Sequence, residues 1–271
     1  MIKITRQEFS KLSQYIHQNY GIHIKEEKQM ILASRLYNEL LNNNCKSFTQ
    51  YFEYIKSDKS GRAIAALINK ITTNHTFFMR EADHFYFFRD TVLPYISSKV
   101  KNKDLRIWST GCSTGQEPYT LAMLIDEYFK DDKYLWDTRI LATDISNRVL
   151  CEAKKGIYNS DQIQTLPAIW RLNYFQKLNN GCFVITDRIK KEVIFRNFNL
   201  MEKEFPFKKR FHVIFCRNVM IYFDYKTKVN LVNKFYDYIE YGGYLFVGHT
   251  ESLPRYETKF QYVQPAVYRK V

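Results

Sequence analysis

Between Thr5 and Ile71 apolar residues recur at steps of three and four: Phe9, Leu12 and Ile16, then Ile31, Leu32, Leu36 and Leu40, then Phe48, Phe52 and Ile55. That period predicts several amphipathic helices packed as a small helical domain. Gly21 and Gly61 punctuate the run, Ser47 and Ser60 are expected helix starts, and Thr72-Thr73-Asn74-His75-Thr76 reads as the exit. A helix through Phe85, Phe88, Val92 and Leu93 is expected to end near Pro94. From Leu105 onward short apolar runs alternate with helical patterns, which predicts an α/β fold with a mostly parallel sheet. The alternation breaks between Gly156 and Asn199. There, residues 181–186 and 192–196, separated near Asp187 and Arg188, predict a β-hairpin insertion, with a turn signal at Asn179-Asn180-Gly181. Residues 211–216 and 241–248 resume buried strands, and 260–271 reads as a last one.

Residues 107–129 carry the most chemistry. An apolar start runs into Thr-Gly-Cys-Ser-Thr-Gly, and Pro118 then opens a helical pattern. A strand, a glycine turn and a helix N-terminus are how open α/β sheets hold nucleotide-like ligands. The spacing only half meets Gly-x-Gly-x-x-Gly. Glu117 would repel a pyrophosphate, so a ligand with a cationic centre and a sugar suits the turn better than NAD, and S-adenosylmethionine has both. One βα unit later, residues 139–145 read as a buried strand ending in Asp144, with Ser146 as N-cap of the next helix. A carboxylate there is placed to accept both hydroxyls of a ribose.

Composition narrows the partners. Lys and Arg number 41 against 28 Asp and Glu, a formal charge of +13, which predicts an acidic partner: nucleic acid, anionic membrane or an acidic protein surface. The charge is dispersed, and no aromatic RNA-recognition motif is present. The five cysteines form no Cys-x-x-Cys pair and the histidines no cluster at ligand spacing, so reduced thiols in a cytoplasmic protein and no metal are expected. With no run of eighteen apolar residues and no signal-peptide pattern, a soluble protein without membrane insertion is expected.

Motif by motif, the chain resembles the CheR family of chemotaxis-receptor methyltransferases. The resemblance rests on Thr73-Asn-His-Thr-Phe-Phe-Met-Arg-Glu81, Gly111-Cys-Ser-Thr-Gly-Gln-Glu-Pro-Tyr119, Ala142-Thr-Asp-Ile145, Gly156-Ile-Tyr158, Asn199-Leu200, Phe215-Cys-Arg-Asn-Val-Met-Ile-Tyr-Phe-Asp224 and Gly242-Gly-Tyr-Leu-Phe-Val-Gly-His-Thr-Glu-Ser252. These blocks follow the family's order and span nearly the whole chain. The resemblance implies an N-terminal helical domain over residues 1–75. A Rossmann-like class I methyltransferase domain would follow over 76–271, with a β-subdomain insertion at 156–198. It implies a cofactor site lined by Asn74, Thr76, Arg80, Glu117, Asp144, Asn199, Leu200, Arg217 and Asn218. Glu117 would stand near the methionine moiety, Asp144 at the ribose, and Asn199-Leu200 beside the adenine edge.

The implied activity is methyl transfer from S-adenosylmethionine to glutamate side chains of chemoreceptors, giving methyl esters and S-adenosylhomocysteine. The implied partners are the cytoplasmic helices of transmembrane chemoreceptors, with the enzyme a monomer. A glutamate side chain has a reference pKa of about 4.3 and is already an anion at neutral pH, so position and desolvation matter more than a general base. Arg80 would steer that carboxylate with its fork of donors, or else pair with Glu81 or Asp83 on its own helix. Tyr222 offers a hydroxyl at a strand end. Arg217-Asn218 stands where amino-group methyltransferases carry Asn-Pro-Pro-Tyr, which makes a base or amine acceptor less suited. Lys11, Lys25, Lys28, Arg35 and Lys46 are candidate docking residues. Two other functions fit the composition: an RNA methyltransferase, favoured by the basic charge, and a non-catalytic receptor-binding adaptor. Cys112, His249 and Glu251 have no partner at a catalytic spacing and are assigned no catalytic role.

Overall fold

A computed structural model describes residues 2–72, 74–253 and 257–271; Thr73, quoted above in the exit and in the first family block, lies outside them. The N-terminal part packs α1 (Arg6–Tyr20), α2 (Gln29–Asn42), α3 (Phe48–Ser57) and α4 (Arg62–Ile71) around Leu12, Ile16, Leu36, Leu40, Phe48 and Leu67. Thr5 and Glu8 form a reciprocal capping box at the start of α1, and Ser47 caps α3 as expected. Ser60 does not open α4. Gly61 takes that position in a left-handed conformation, and the Asp58 carboxylate accepts the Ala63 N–H at 2.7 Å instead.

Helices α5 (Ala82–Phe87) and α6 (Leu93–Lys99) run on through Pro94, where the sequence pattern predicts an end. A π-helical turn over Phe88–Val92 widens the path, and the Leu93 N–H reaches back to the Phe88 carbonyl. Pro94, which lacks an N–H, then sits in the first turn of a restarted helix.

The rest is a seven-stranded sheet in the order β6 (Val193–Asn197), β2 (Ile140–Asp144), β1 (Ile107–Ser109), β7 (Phe211–Cys216), β8 (Ile239–Val247), β10 (Val267–Arg269) and β9 (Gln261–Gln264). The first five are parallel, while β10 runs antiparallel to both neighbours. The expected single last strand is therefore a hairpin, turned at Ala266 with φ 61°. Helices α7 (Gln116–Phe129), α8 (Asn147–Lys155) and α12 (Tyr225–Tyr238) cover the sheet. Trp108, Phe215, Phe235 and Phe246 lie buried in the layers they form.

The insertion differs from its expected form. It is a three-stranded sheet of β3 (Ile157–Tyr158), β5 (Phe183–Ile185) and β4 (Phe175–Lys177), joined by α9 (Ser160–Ile163) and α10 (Ala168–Tyr174). The Asn179-Asn180-Gly181 turn joins β4 to β5, and of residues 192–196, expected as the second arm, 193–196 belong to β6 in the main sheet. A short helix, α11 (Asp187–Lys190), separates the two, and Val193 and Phe195 pair with Ile140 and Ala142 of β2. Among the described residues no helix is long and apolar enough to cross a membrane.

Candidate active site

The carboxyl ends of β1, β2 and β7 open into one cavity. Asn74, Thr76, Arg80, Glu117, Asp144, Asn199, Leu200, Arg217, Asn218 and Tyr222 all line it, although they come from segments spread across the chain.

The glycine turn after β1 is held from both sides. Gly115 takes φ 96° at the start of α7, a conformation that strains any side chain, and its N–H donates to the Cys112 carbonyl at 2.9 Å. A Cβ on Gly111 would stand 2.4 Å from Val219 Cγ2. The helix starts at Gln116, so Pro118 falls two residues inside it, still within the first turn whose N–H groups lack intrahelical partners. Asp144 ties this turn to β2. Its Oδ2 accepts the Ser113 N–H at 2.9 Å and its Oδ1 the Ser146 N–H at 2.9 Å. Burial pushes the Asp144 carboxyl up, and the N–H donors oppose that shift. Each oxygen keeps acceptor capacity toward the cavity, enough for a vicinal diol. Ser146 itself caps α8 through its hydroxyl, leaving the carboxylate of Asp144 to bridge the two turns.

A chain of charge crosses the cavity floor. Glu117 Oε1 accepts from Ser109 Oγ at 2.7 Å, and Oε2 from Arg217 Nη1 at 2.9 Å. Arg217 Nη2 donates to Glu81 Oε2 at 3.1 Å and to the Arg80 carbonyl, while its guanidinium lies 5.0 Å over the Phe85 ring. Asn218 Nδ2 donates to Glu81 Oε1 at 3.1 Å. Burial drives the Glu117 carboxyl up more than Arg217 lowers it. For Glu81, burial also pushes upward, but Arg217 and Asn218 outweigh it and hold the carboxyl low. Glu81 and Glu117 share the buried guanidinium of Arg217, and Asp144 adds a third carboxylate on the cavity wall. This donor set suits a ligand that carries positive charge and a sugar.

Arg80 is placed differently from either sequence expectation of a helix pair. Its Nη1 donates to the His75 carbonyl at 2.6 Å, and among the described residues it has no carboxylate partner. Glu81, at φ 56°, interrupts the backbone before α5, so residues 80–83 do not share a helical turn. Arg80 lines the cavity.

The helical domain supplies one wall. Tyr20 and Ile22 line the cavity, the Asn199 amide donates to the Asn19 carbonyl at 2.8 Å, and the His23 N–H donates to the Tyr222 carbonyl at 2.8 Å. His17 Nε2 meets Asp224 Oδ2 at 2.6 Å beside this seam.

Sequence reasoning missed Glu81 as a hub, although it stands in the quoted block beside Arg80. It also missed Glu251, whose carboxylate accepts the N–H groups of Asn218, Ile221 and Gly248 at 2.7, 2.9 and 2.7 Å and so fixes Asn218 at φ 57°. Burial raises the Cys112 and Cys216 thiols well above their ordinary value, leaving them inert packing groups.

The family profile described as "CheR methyltransferase, SAM binding domain" matches residues 74–269, and "CheR methyltransferase, all-alpha domain" matches 7–72. The chain is 43% identical to a chemotaxis protein methyltransferase of Borreliella burgdorferi, over 99% of this chain and 96% of that one. It is 35% identical to a probable chemotaxis protein methyltransferase of Rhizobium etli (88% and 90% covered) and 31% to the chemotaxis protein methyltransferase of Escherichia coli (96% and 89%).

Proposed function

The chain belongs to the CheR methyltransferase family and carries out S-adenosylmethionine-dependent methylation in chemotaxis, and from that premise we propose that its acceptor is a glutamate side chain on the cytoplasmic helices of transmembrane chemoreceptors. The products are a glutamate methyl ester and S-adenosylhomocysteine. The observation that carries this reading is Arg80, a cation on the cavity wall with unspent donors and no carboxylate partner among the described residues. A planar fork of this kind takes a carboxylate in a defined orientation.

Bound S-adenosylmethionine supplies a methyl carbon on a sulfonium, an electrophile that a carboxylate attacks without a general base. Asp144 holds the ribose diol, Glu117 faces the methionine moiety, and Asn199 with Leu200 borders the adenine. Arg217 keeps Glu117 in place, and Asn74, Thr76 and Asn218 complete the walls. Arg80 orients the acceptor carboxylate, and Tyr222 lines the same cavity from the 3₁₀ turn Met220–Tyr222 that follows β7, not from a strand end as the sequence suggested. Such positioning accounts for roughly 7–11 kcal/mol of barrier where reactants are well aligned. Exposed Lys11, Lys25, Lys28, Arg35 and Lys46 of the helical domain attract an acidic receptor surface.

Peptide mapping by mass spectrometry after incubation with receptor-bearing membranes tests the acceptor. Methyl groups on receptor glutamates, lost when those glutamates are replaced by alanine, are expected. Methyl groups on lysine, arginine or co-purifying RNA would overturn the reading.

A further inference from the structure

Next to Arg217, Glu81 of the charge chain also meets two histidines to which the proposed methyl transfer gives no role. Glu81 and His84 flank the start of α5, three residues apart, and His249 follows β8 from across the sheet. Their ligand atoms all lie within 4.8 Å of one another. His84 is 1% exposed, and neither ring nitrogen has a hydrogen-bond partner among the described residues. Its Nδ1 stands 3.5 Å from Glu81 Oε2, and its ring meets that of His249 edge-on at 4.5 Å between centroids.

The buried His84 Nδ1 faces a carboxylate oxygen, a nitrogen and an anionic oxygen side by side as divalent metals take them. The neutral imidazole is the form that ligates metals. Two ligands on one tetrahedral zinc ion, each at about 2.0–2.1 Å, stand about 3.3 Å apart, close to the Glu81–His84 separation. His249 is exposed, and its ring already packs against that of His84. Glu81 is also braced by Arg217, Asn218 and the His249 N–H, the kind of outer hydrogen bonding that orients a carboxylate ligand.

We propose that Glu81, His84 and His249 form a binding site for a single divalent transition-metal ion of the zinc class, with its fourth position open to solvent. Residues 81, 84 and 249 carry no metal-ligand spacing in the sequence, because the third ligand arrives only through the fold. The inference does not depend on which acceptor the enzyme methylates.

The test uses the full chain, dialysed against chelator, titrated with Zn²⁺ by calorimetry and with Co²⁺ by visible absorption. One equivalent should bind, with the intense visible bands of tetrahedral Co²⁺. His249→Ala should weaken zinc at least about tenfold while S-adenosylmethionine affinity is unchanged. His17→Ala, which alters the other histidine–carboxylate contact, should bind zinc like the parent. Absence of binding, zinc held as tightly by His249→Ala as by the parent, or zinc lost in His17→Ala would each overturn the proposal.

Discussion

Arg217 Nη1 meets Glu117 Oε2 at 2.9 Å, with the two side chains 2% and 12% exposed. A pair this deeply buried gains little over apolar packing but is costly to break, because the survivor is left charged in a low dielectric. Arg217→Ala should therefore lower unfolding stability by about 3–5 kcal/mol in urea denaturation, and Arg217→Lys by less. A change within experimental error for Arg217→Ala would mean that Glu117 is not held as a charge there.

Asp144 serves the turn and the proposed ribose contact together. In Asp144→Asn the amide cannot accept both the Ser113 and Ser146 N–H groups. S-adenosylmethionine affinity should fall by about 1.5–3 kcal/mol, with a lower Tm. Calorimetry showing the parent affinity would remove Asp144 from the cofactor site.

Arg80 separates positioning from binding. Arg80→Lys keeps the charge but loses the planar fork, so kcat should drop far more than cofactor affinity. Equal losses would make Arg80 a cofactor ligand, and no loss in either would leave it a brace for the His75 carbonyl.

His212, in β7 below the site, sets a pH dependence. Its Nδ1 accepts the Arg106 N–H at 3.0 Å. Burial, then Arg106, push its pKa down from 6.5 to about 4, with Asp104 pulling weakly the other way. Between those values the unfolded chain binds the proton and the folded one does not, so this contribution to stability is lost as pH falls from about 6.5 to about 4. The slope due to this group is about 1.4 kcal/mol per pH unit. Tm measured against pH should show it, and His212→Gln should flatten that part of the curve.

Local chemistry was legible in the sequence where one βα unit contains it. The turn from Gly111 to Gly115 and Asp144 at the end of β2 both declare themselves through a strand followed by a helix start. Glu81 was not legible as a hub, since its partners Arg217 and His249 lie more than a hundred residues away and meet it only across the folded sheet. Phe183–Ile185 and Val193–Asn197 have the same apolar, β-prone character, and nothing in that pattern says that one pairs with β4 and the other with β2. Pro94 misled for a physical reason: a π-helical turn over Phe88–Val92 absorbs a proline that would end an ordinary helix.

The central claim is that the methyl group ends on a carboxylate. Radiolabelled S-adenosylmethionine incubated with the protein and receptor-bearing membranes, followed by mild alkali, tests it most directly. Label released as volatile methanol, and reduced in the Arg80 and Asp144 variants, is the predicted result. Label that resists alkali, as a methylated amine or base would, contradicts it.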